Sequence, residues 1–264
     1  MKTVERLLPG RRIGTTSYIF PAGETAKESY EKNIELLAPH IGIIQLLLLG
    51  RDYGDIWQDK AWLNSLVQMK LEYGLDFVVH LPLDLHIWPD MNEKHFAIMK
   101  KLLGNLESLE PSGYVLHLEK SDGLKAERYI PCQRDKEFFG RLMDRLASLG
   151  KYPFLFENTH YDLCFFAEEI YASPFGVCFD IGHWWLLGRK GEDFFQSFQN
   201  RIRLVHVHGI QGEKDHQSLA VLSSERLQQV LSFEKHVPLI IEVFSLADLV
   251  SSLIILKSME KEVK

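Results

Sequence analysis

Thiols are scarce in this chain. Three cysteines, Cys132, Cys164 and Cys178, lie scattered through 264 residues, an odd number with no paired spacing. That excludes a disulfide framework and a thiolate zinc site, and it fits a reducing cytoplasm. Long apolar runs are missing as well. IIQLLLL (43–49) and LIIEVF (239–244) fall far short of the ~20 residues a membrane span needs. The opening MKTVERLLPGRR has no apolar h-region and no small-residue cleavage site, so no secretory leader is expected there. A basic excess is absent too: 30 Lys+Arg against 36 Asp+Glu give a net charge of −6. That counts against a dedicated nucleic-acid binder without excluding a local basic patch. No low-complexity tract or interdomain linker interrupts the chain, which reads as one domain over residues 1–264.

What the chain does have is alternation. Apolar segments of strand length, 12–20, 41–49, 75–83, 113–119, 152–158, 175–183, 202–210 and 237–244, are separated by segments of helical period. These are Thr25–His40, Asp59–Gly74, Glu93–Leu109, 133–149, 163–172, 191–201, 223–235 and 246–262. Alternating β and α implies a parallel sheet, and eight pairs in this length imply a closed (β/α)8 TIM barrel. An open doubly wound sheet would bring a glycine-rich phosphate turn after its first strand. Here that position reads TTSYIFPAGE, without G-x-G-x-x-G.

Ionisable residues inside apolar strands need a reason. His80, His117, Glu157, Asp180, His206 and Glu242 fall one each in strands three to eight, about five residues after each strand begins, or roughly 16 Å along it. In parallel strands they gather at one height, the C-terminal face where barrel active sites are built. A single histidine in an apolar strand is ordinarily a satisfied core residue. Six such residues in register are not, and three clustered carboxylates require neutralising cations or protonation. His183, three residues after Asp180, and His216, in GEKDHQSL, are read as further ligands. His208 alternates with His206, so it points the same way into the barrel, and is read as supporting the ligands from behind or contacting substrate. Asp215 is an alternative ligand or the orienting partner of His216. His40 and His236 are read as structural, and His86, His95 and His160 as surface histidines. Imidazole plus carboxylate suits Zn²⁺ or Mn²⁺, with Fe²⁺ also compatible. Six to eight ligands imply two or three divalent ions, with Glu157 as the bridge. Paired ions suit hydrolysis at phosphorus.

At these residues the sequence resembles the xylose-isomerase-like barrel superfamily, which includes endonuclease IV-type enzymes and sugar epimerases. The resemblance covers essentially the whole chain. It implies a shared ligand set of Glu157, Asp180, His206 and Glu242, with His80, His117, His183 and His216 added as in the endonuclease IV-like members. Their loop motif reads D-x-H, whereas this chain has Lys214-Asp215-His216. The phrases IGTTSYIFPA, VVHLPLDL, FENT, DIGH and HVHG followed by DHQSL are similar to the cobamide-remodelling phosphodiesterases. That resemblance implies hydrolysis of the nucleotide-loop phosphodiester of a coenzyme B12-like corrinoid, with Glu157, Glu242 and His208 in the reaction and Tyr18, Asp84 and Asp215 contacting substrate. The alternatives are an endonuclease acting at abasic DNA sites and a one-metal sugar isomerase or epimerase. The acidic balance and the few basic positions near the strand ends (Arg51, Arg189, Lys190) weigh against the first. His80 and His117, unneeded by one-metal chemistry, weigh against the second.

Overall fold

Eight strands alternate with helices, and each strand is parallel to both neighbours around a closed ring. The structure is a computed structural model and describes residues 10–19, 26–48, 56–83, 85, 93–118, 130–159, 161–188 and 191–262. The barrel strands are β1 (Ile13–Thr16), β2 (Ile43–Leu47), β3 (Asp76–His80), β4 (Gly113–Leu116), β5 (Phe154–Glu157), β6 (Gly176–Asp180), β7 (Ile202–Val207) and β8 (Leu239–Ile241). The helices are α1 (Ala26–Leu37), α2 (Lys60–Tyr73), α3 (Glu93–Leu106), α4 (Gln133–Ser148), α5 (Ala167–Ala172), α6 (Ile181–Leu186), α7 (Gly191–Phe198), α8 (Ser224–Ser232) and α9 (Leu246–Glu262). The expected (β/α)8 barrel is therefore the fold. No described helix is long and apolar enough to cross a membrane.

The strands are shorter than the apolar segments that predict them, and two predictions fail locally. Strand six does not run to His183. It ends at Asp180, whose carboxylate accepts the His183 backbone N–H at 2.7 Å and so caps α6. Strand seven does not run to residue 210. It ends at Val207, and Gly209–Gln211 then pairs antiparallel with Lys214–Gln217 in a hairpin closed by Gly212-Glu213. Gly209 must be glycine, because a Cβ there would overlap the Ser218 carbonyl. The expected surface position of His95 is also wrong: it is buried on the inner side of α3.

Side chains alternate across a strand, and this sets two floors inside the barrel. Ile43, Val78, Val115, Leu155, Cys178, Leu204 and Ile240, one from each of β2 to β8, form a closed apolar cluster. Two residues further along, in the same order, come Gln45, His80, His117, Glu157, Asp180, His206 and Glu242. The outward residues join the main core under the helices, as where Phe156 meets Phe139 of α4 at 5.2 Å. Burying each such aromatic contributes roughly 1.5–3 kcal/mol, so the barrel wall and lower floor hold the upper floor in place.

Candidate metal centre

The upper floor converges on Glu157. Its Oε2 lies 2.7 Å from His117 Nε2 and 3.3 Å from His80 Nε2. Its Oε1 lies 2.8 Å from His206 Nδ1. His206 Nδ1 is also 3.1 Å from Glu242 Oε2 and 3.9 Å from Asp180 Oδ2. The ligand atoms of His80, His117 and Glu157 lie within 4.8 Å of one another, as do those of Glu157, Asp180, His206 and Glu242. Metal–ligand bonds of ~2.0–2.2 Å bring such atoms together with small side-chain adjustments. His117 and Glu242 each stand one residue past the end of a strand.

Second partners orient the rings. His80 donates from Nδ1 to the Leu81 carbonyl at 3.0 Å, which leaves Nε2 for Glu157 and its neighbours. His216 donates from Nδ1 to the Glu242 carbonyl at 3.1 Å, again freeing Nε2. His206 is turned the other way, with Nε2 on Gln45 Oε1 at 2.7 Å and Nδ1 toward the carboxylates. Such acceptors fix the tautomer of a metal-binding imidazole. Asp180 Oδ2 and His183 Nδ1 face each other at 3.5 Å, buried and without a hydrogen-bond partner among the described residues. Converging, partly unsatisfied N and O donors fit a divalent cation.

The electrostatics point the same way. Burial alone would raise the Glu157 carboxyl, but the His206 and His117 imidazoles hold it well below the ordinary range. Burial is likewise overridden at Asp180 by His183 and His208, and at Glu242 by His206, so both are lowered. The imidazoles respond in the opposite sense. Burial would lower His206, yet the Glu157 and Glu242 carboxylates hold it well above its usual value. His183 rises to about 10 against its burial, chiefly through Asp180 and then Asp215. Protons on these rings and a divalent ion are alternative ways to balance three buried carboxylates. Cys178 Sγ lies within 4.8 Å of ligand atoms of Glu157 and His206, but burial pushes its thiol far up, so it stays protonated.

A third group forms at the edge. Ring nitrogens of His183, His208 and His216 lie within 4.8 Å of one another. His208, read from sequence as supporting the ligands or contacting substrate and placed in the reaction by the resemblance, is fully buried. Its Nε2 meets Asp180 Oδ1 at 3.1 Å, and its Nδ1 accepts the His216 backbone N–H at 3.0 Å. Both ring nitrogens are engaged, so its geometry is that of a positioning residue. Gly182 makes room for it, since a methyl group there would overlap the His208 ring. His216 has φ 50, a left-handed backbone unusual outside glycine. Asp215 is 44% exposed, with Oδ2 3.7 Å from His183 Nε2 and 3.9 Å from His216 Nε2. The His183 contact lowers its carboxyl to about 2.

Above the centre lies a cavity of about 230 Å³, lined by Leu47, Leu48, His80, Leu81, Leu83, His117, Glu157, His183, His216, Glu242 and Phe244. Phe244 packs on the His216 ring at 4.9 Å. Tyr18, an expected substrate contact, is not among the lining residues and packs tilted on Tyr30 at 6.0 Å. Asp84, His86, His160, Arg51, Arg189 and Lys190 lie outside the described residues. Sequence reasoning missed the apolar rim, Gln45, and Asn158. The Asn158 side chain bonds both Asp180 backbone groups, at 2.7 and 2.9 Å, and so ties β5 to β6. The Asn in FENT and the Gln two residues after Ile43 were the available signals.

No protein-family model matches the sequence, and no curated protein does. Solved structures do match its fold. A D-tagatose 3-epimerase-like protein superposes with TM-score 0.68 at 17% identity, over 96% of this chain and 98% of the other. Endonuclease IV from Thermus thermophilus gives 0.62 at 18%, over 95% and 99%. A xylose isomerase domain protein from Planctomyces limnophilus gives 0.62 at 15%, over 95% and 96%. The chain thus shares the closed (β/α)8 barrel fold of these structures. These neighbours stand with the epimerase and endonuclease alternatives; none of the three is named as a corrinoid phosphodiesterase.

Proposed function

We propose that this barrel is a metal-dependent phosphodiesterase and that its substrate is the nucleotide loop of a corrinoid. The observation that carries the reaction class is Glu157, whose two oxygens face two different ligand groups. One-metal chemistry has no use for the group containing His80 and His117. Bound ions would supply Lewis-acid charge for the phosphoryl and leaving oxygens of a phosphodiester and would acidify the attacking water. His80, His117, Glu157, Asp180, His206 and Glu242 would hold them, with His183 and His216 at the edge and Asp215 orienting that pair. Glu157 and Glu242 border the reacting centre, and His208 holds Asp180 in place.

The substrate rests on the motif resemblance and on the cavity wall. Leu83 and Phe244 are 49% and 45% exposed at the rim. No Lys or Arg lines the cavity among the described residues. Two apolar side chains at the mouth of a polar cavity give a bulky ligand a surface to rest on. A second reading is a sugar epimerase. It is favoured by the epimerase-like neighbour and by the Glu157, Asp180, His206, Glu242 group, which is complete as a single site.

Metal content and turnover decide between them. Metal-loaded protein is assayed on adenosylcobalamin, on duplex DNA with an abasic site and on ketohexoses. Two or three ions per chain with corrinoid cleavage is the expected result. One ion with ketose epimerisation establishes the second reading, and efficient incision of the DNA at physiological salt moves the substrate to nucleic acid.

A further inference from the structure

The centre's imidazoles are not oriented alike. His80 and His216 donate to backbone carbonyls, which no substitution removes. His206 relies on a side chain. Gln45 is fully buried on β2, across the barrel from β7, and its Oε1 sits 2.7 Å from His206 Nε2. The Gln45 amide nitrogen donates to Glu242 Oε1 at 3.4 Å. This second contact sets the amide's orientation, because the flipped amide would place its oxygen against the Glu242 carboxylate. With the amide oxygen toward His206, the ring's Nε2 must carry a hydrogen, and its Nδ1 is left facing Glu157, Asp180 and Glu242.

We propose that Gln45 is a positioning residue of the metal centre: it fixes His206 as the Nδ1 ligand and holds Glu242 in the same coordination sphere. The inference rests on the metal-centre reading above. A polar amide deep in an apolar strand is costly unless both its ends are satisfied. Here both ends are satisfied by side chains of the ligand set.

The test is affinity, measured apart from turnover. Chelator-stripped full-length protein is titrated with Zn²⁺ and with Mn²⁺ against a chromophoric chelator, for wild type, Gln45→Met and Gln45→Glu, and each metal-free form is melted. Gln45→Met keeps the length and removes the strong acceptor and the donor. Loss of an outer-shell partner weakens metal binding by about 10–100-fold, and that is expected here with little change in melting. Gln45→Glu keeps the acceptor for Nε2–H but replaces the donor to Glu242 with a second carboxylate oxygen, so it is expected to recover part of the loss, binding metal more tightly than Gln45→Met and less tightly than wild type. Equal affinity of Gln45→Met and wild type overturns the inference, as does an equal loss in both variants. If Gln45→Met does not fold, Gln45→Glu decides alone: a loss of less than about tenfold supports the acceptor role and a larger loss removes it. Wild-type protein that binds neither ion overturns the metal centre itself, and this inference with it.

Discussion

The two floors of the barrel interior are built from the same strands two residues apart, yet they answer to different physics. The lower floor, Ile43 to Ile240, is apolar and close-packed. The upper floor carries Glu157, Asp180 and Glu242 with His80, His117 and His206 in a buried space. The lower floor stabilises the fold through burial. The upper floor gathers like charges at a cost that the lower floor and the helices offset. Metal affinity therefore divides along the barrel axis, and substitutions one step apart on a strand give different signatures.

The largest effect is expected at Glu157. Glu157→Gln removes the charge shared by two ligand groups while nearly keeping the shape. Turnover of the phosphodiester proposed above as substrate falls by at least ~10³-fold, through loss of ion charge and ~1 Å misplacement of the reacting groups. At least one ion is lost, and the metal-free melting temperature at neutral pH falls, because a carboxylate held below its ordinary range by His206 and His117 stabilises the metal-free fold. Elemental analysis, kinetics and melting check this; normal metal content with normal turnover shows that Glu157 does not bridge. Leu155→Ala, one step below, is the contrasting case. A buried Leu→Ala cavity costs about 2–5 kcal/mol, read as a lower denaturation midpoint with metal affinity little changed. Equal damage to affinity would erase the division between floors.

Gly182→Ala tests the support that α6 gives the upper floor. The added methyl displaces His208, which loosens Asp180 and the hairpin carrying His216. Metal affinity falls by about 10–100-fold, as for other outer-shell losses, and competition titration measures it. The smallest effect concerns pH. His183 is raised to about 10 in the metal-free protein. Its stabilising contribution is fully present below its ordinary value near 6.5 and is lost as pH rises through about 10. Metal-free protein should lose several degrees of melting temperature across that window, at about 2–4 °C per kcal/mol in a domain of this size. His183→Asn flattens the slope. Metal-loaded protein shows no such loss, because ions replace the ring protons. A metal-free melting curve flat from pH 6.5 to 10 would contradict the charge balance described here.

The strand–helix alternation was legible because apolar runs of strand length are hard to mistake when eight of them recur. The upper floor was legible because ionisable residues interrupt those runs at one height. Gln45 escaped because a neutral amide in IIQLLLL carries no charge to flag it, and its importance lies in partners 161 and 197 residues away. The start of α6 escaped because IGHWWL is apolar enough to extend a strand; the cap made by Asp180 decides it. The hairpin after β7 escaped because polar Lys214–Gln217 gains its strand geometry from pairing with Gly209–Gln211, which local pattern does not report. Tyr18 enters as a substrate contact through the family resemblance alone, and its ring rests on Tyr30 of α1.

The two-residue step between floors also gives each strand a parity. Only every second residue faces the barrel axis, so a one-residue deletion inside β5 would turn Phe156 inward and push Glu157 toward Phe139 on α4. A two-residue deletion would keep faces but bring the two floors out of level. Loops between strands and helices carry no such frame and can drift in length. The chain can therefore change length at the barrel rim, while the strands accept exchange of residues but not a change of count.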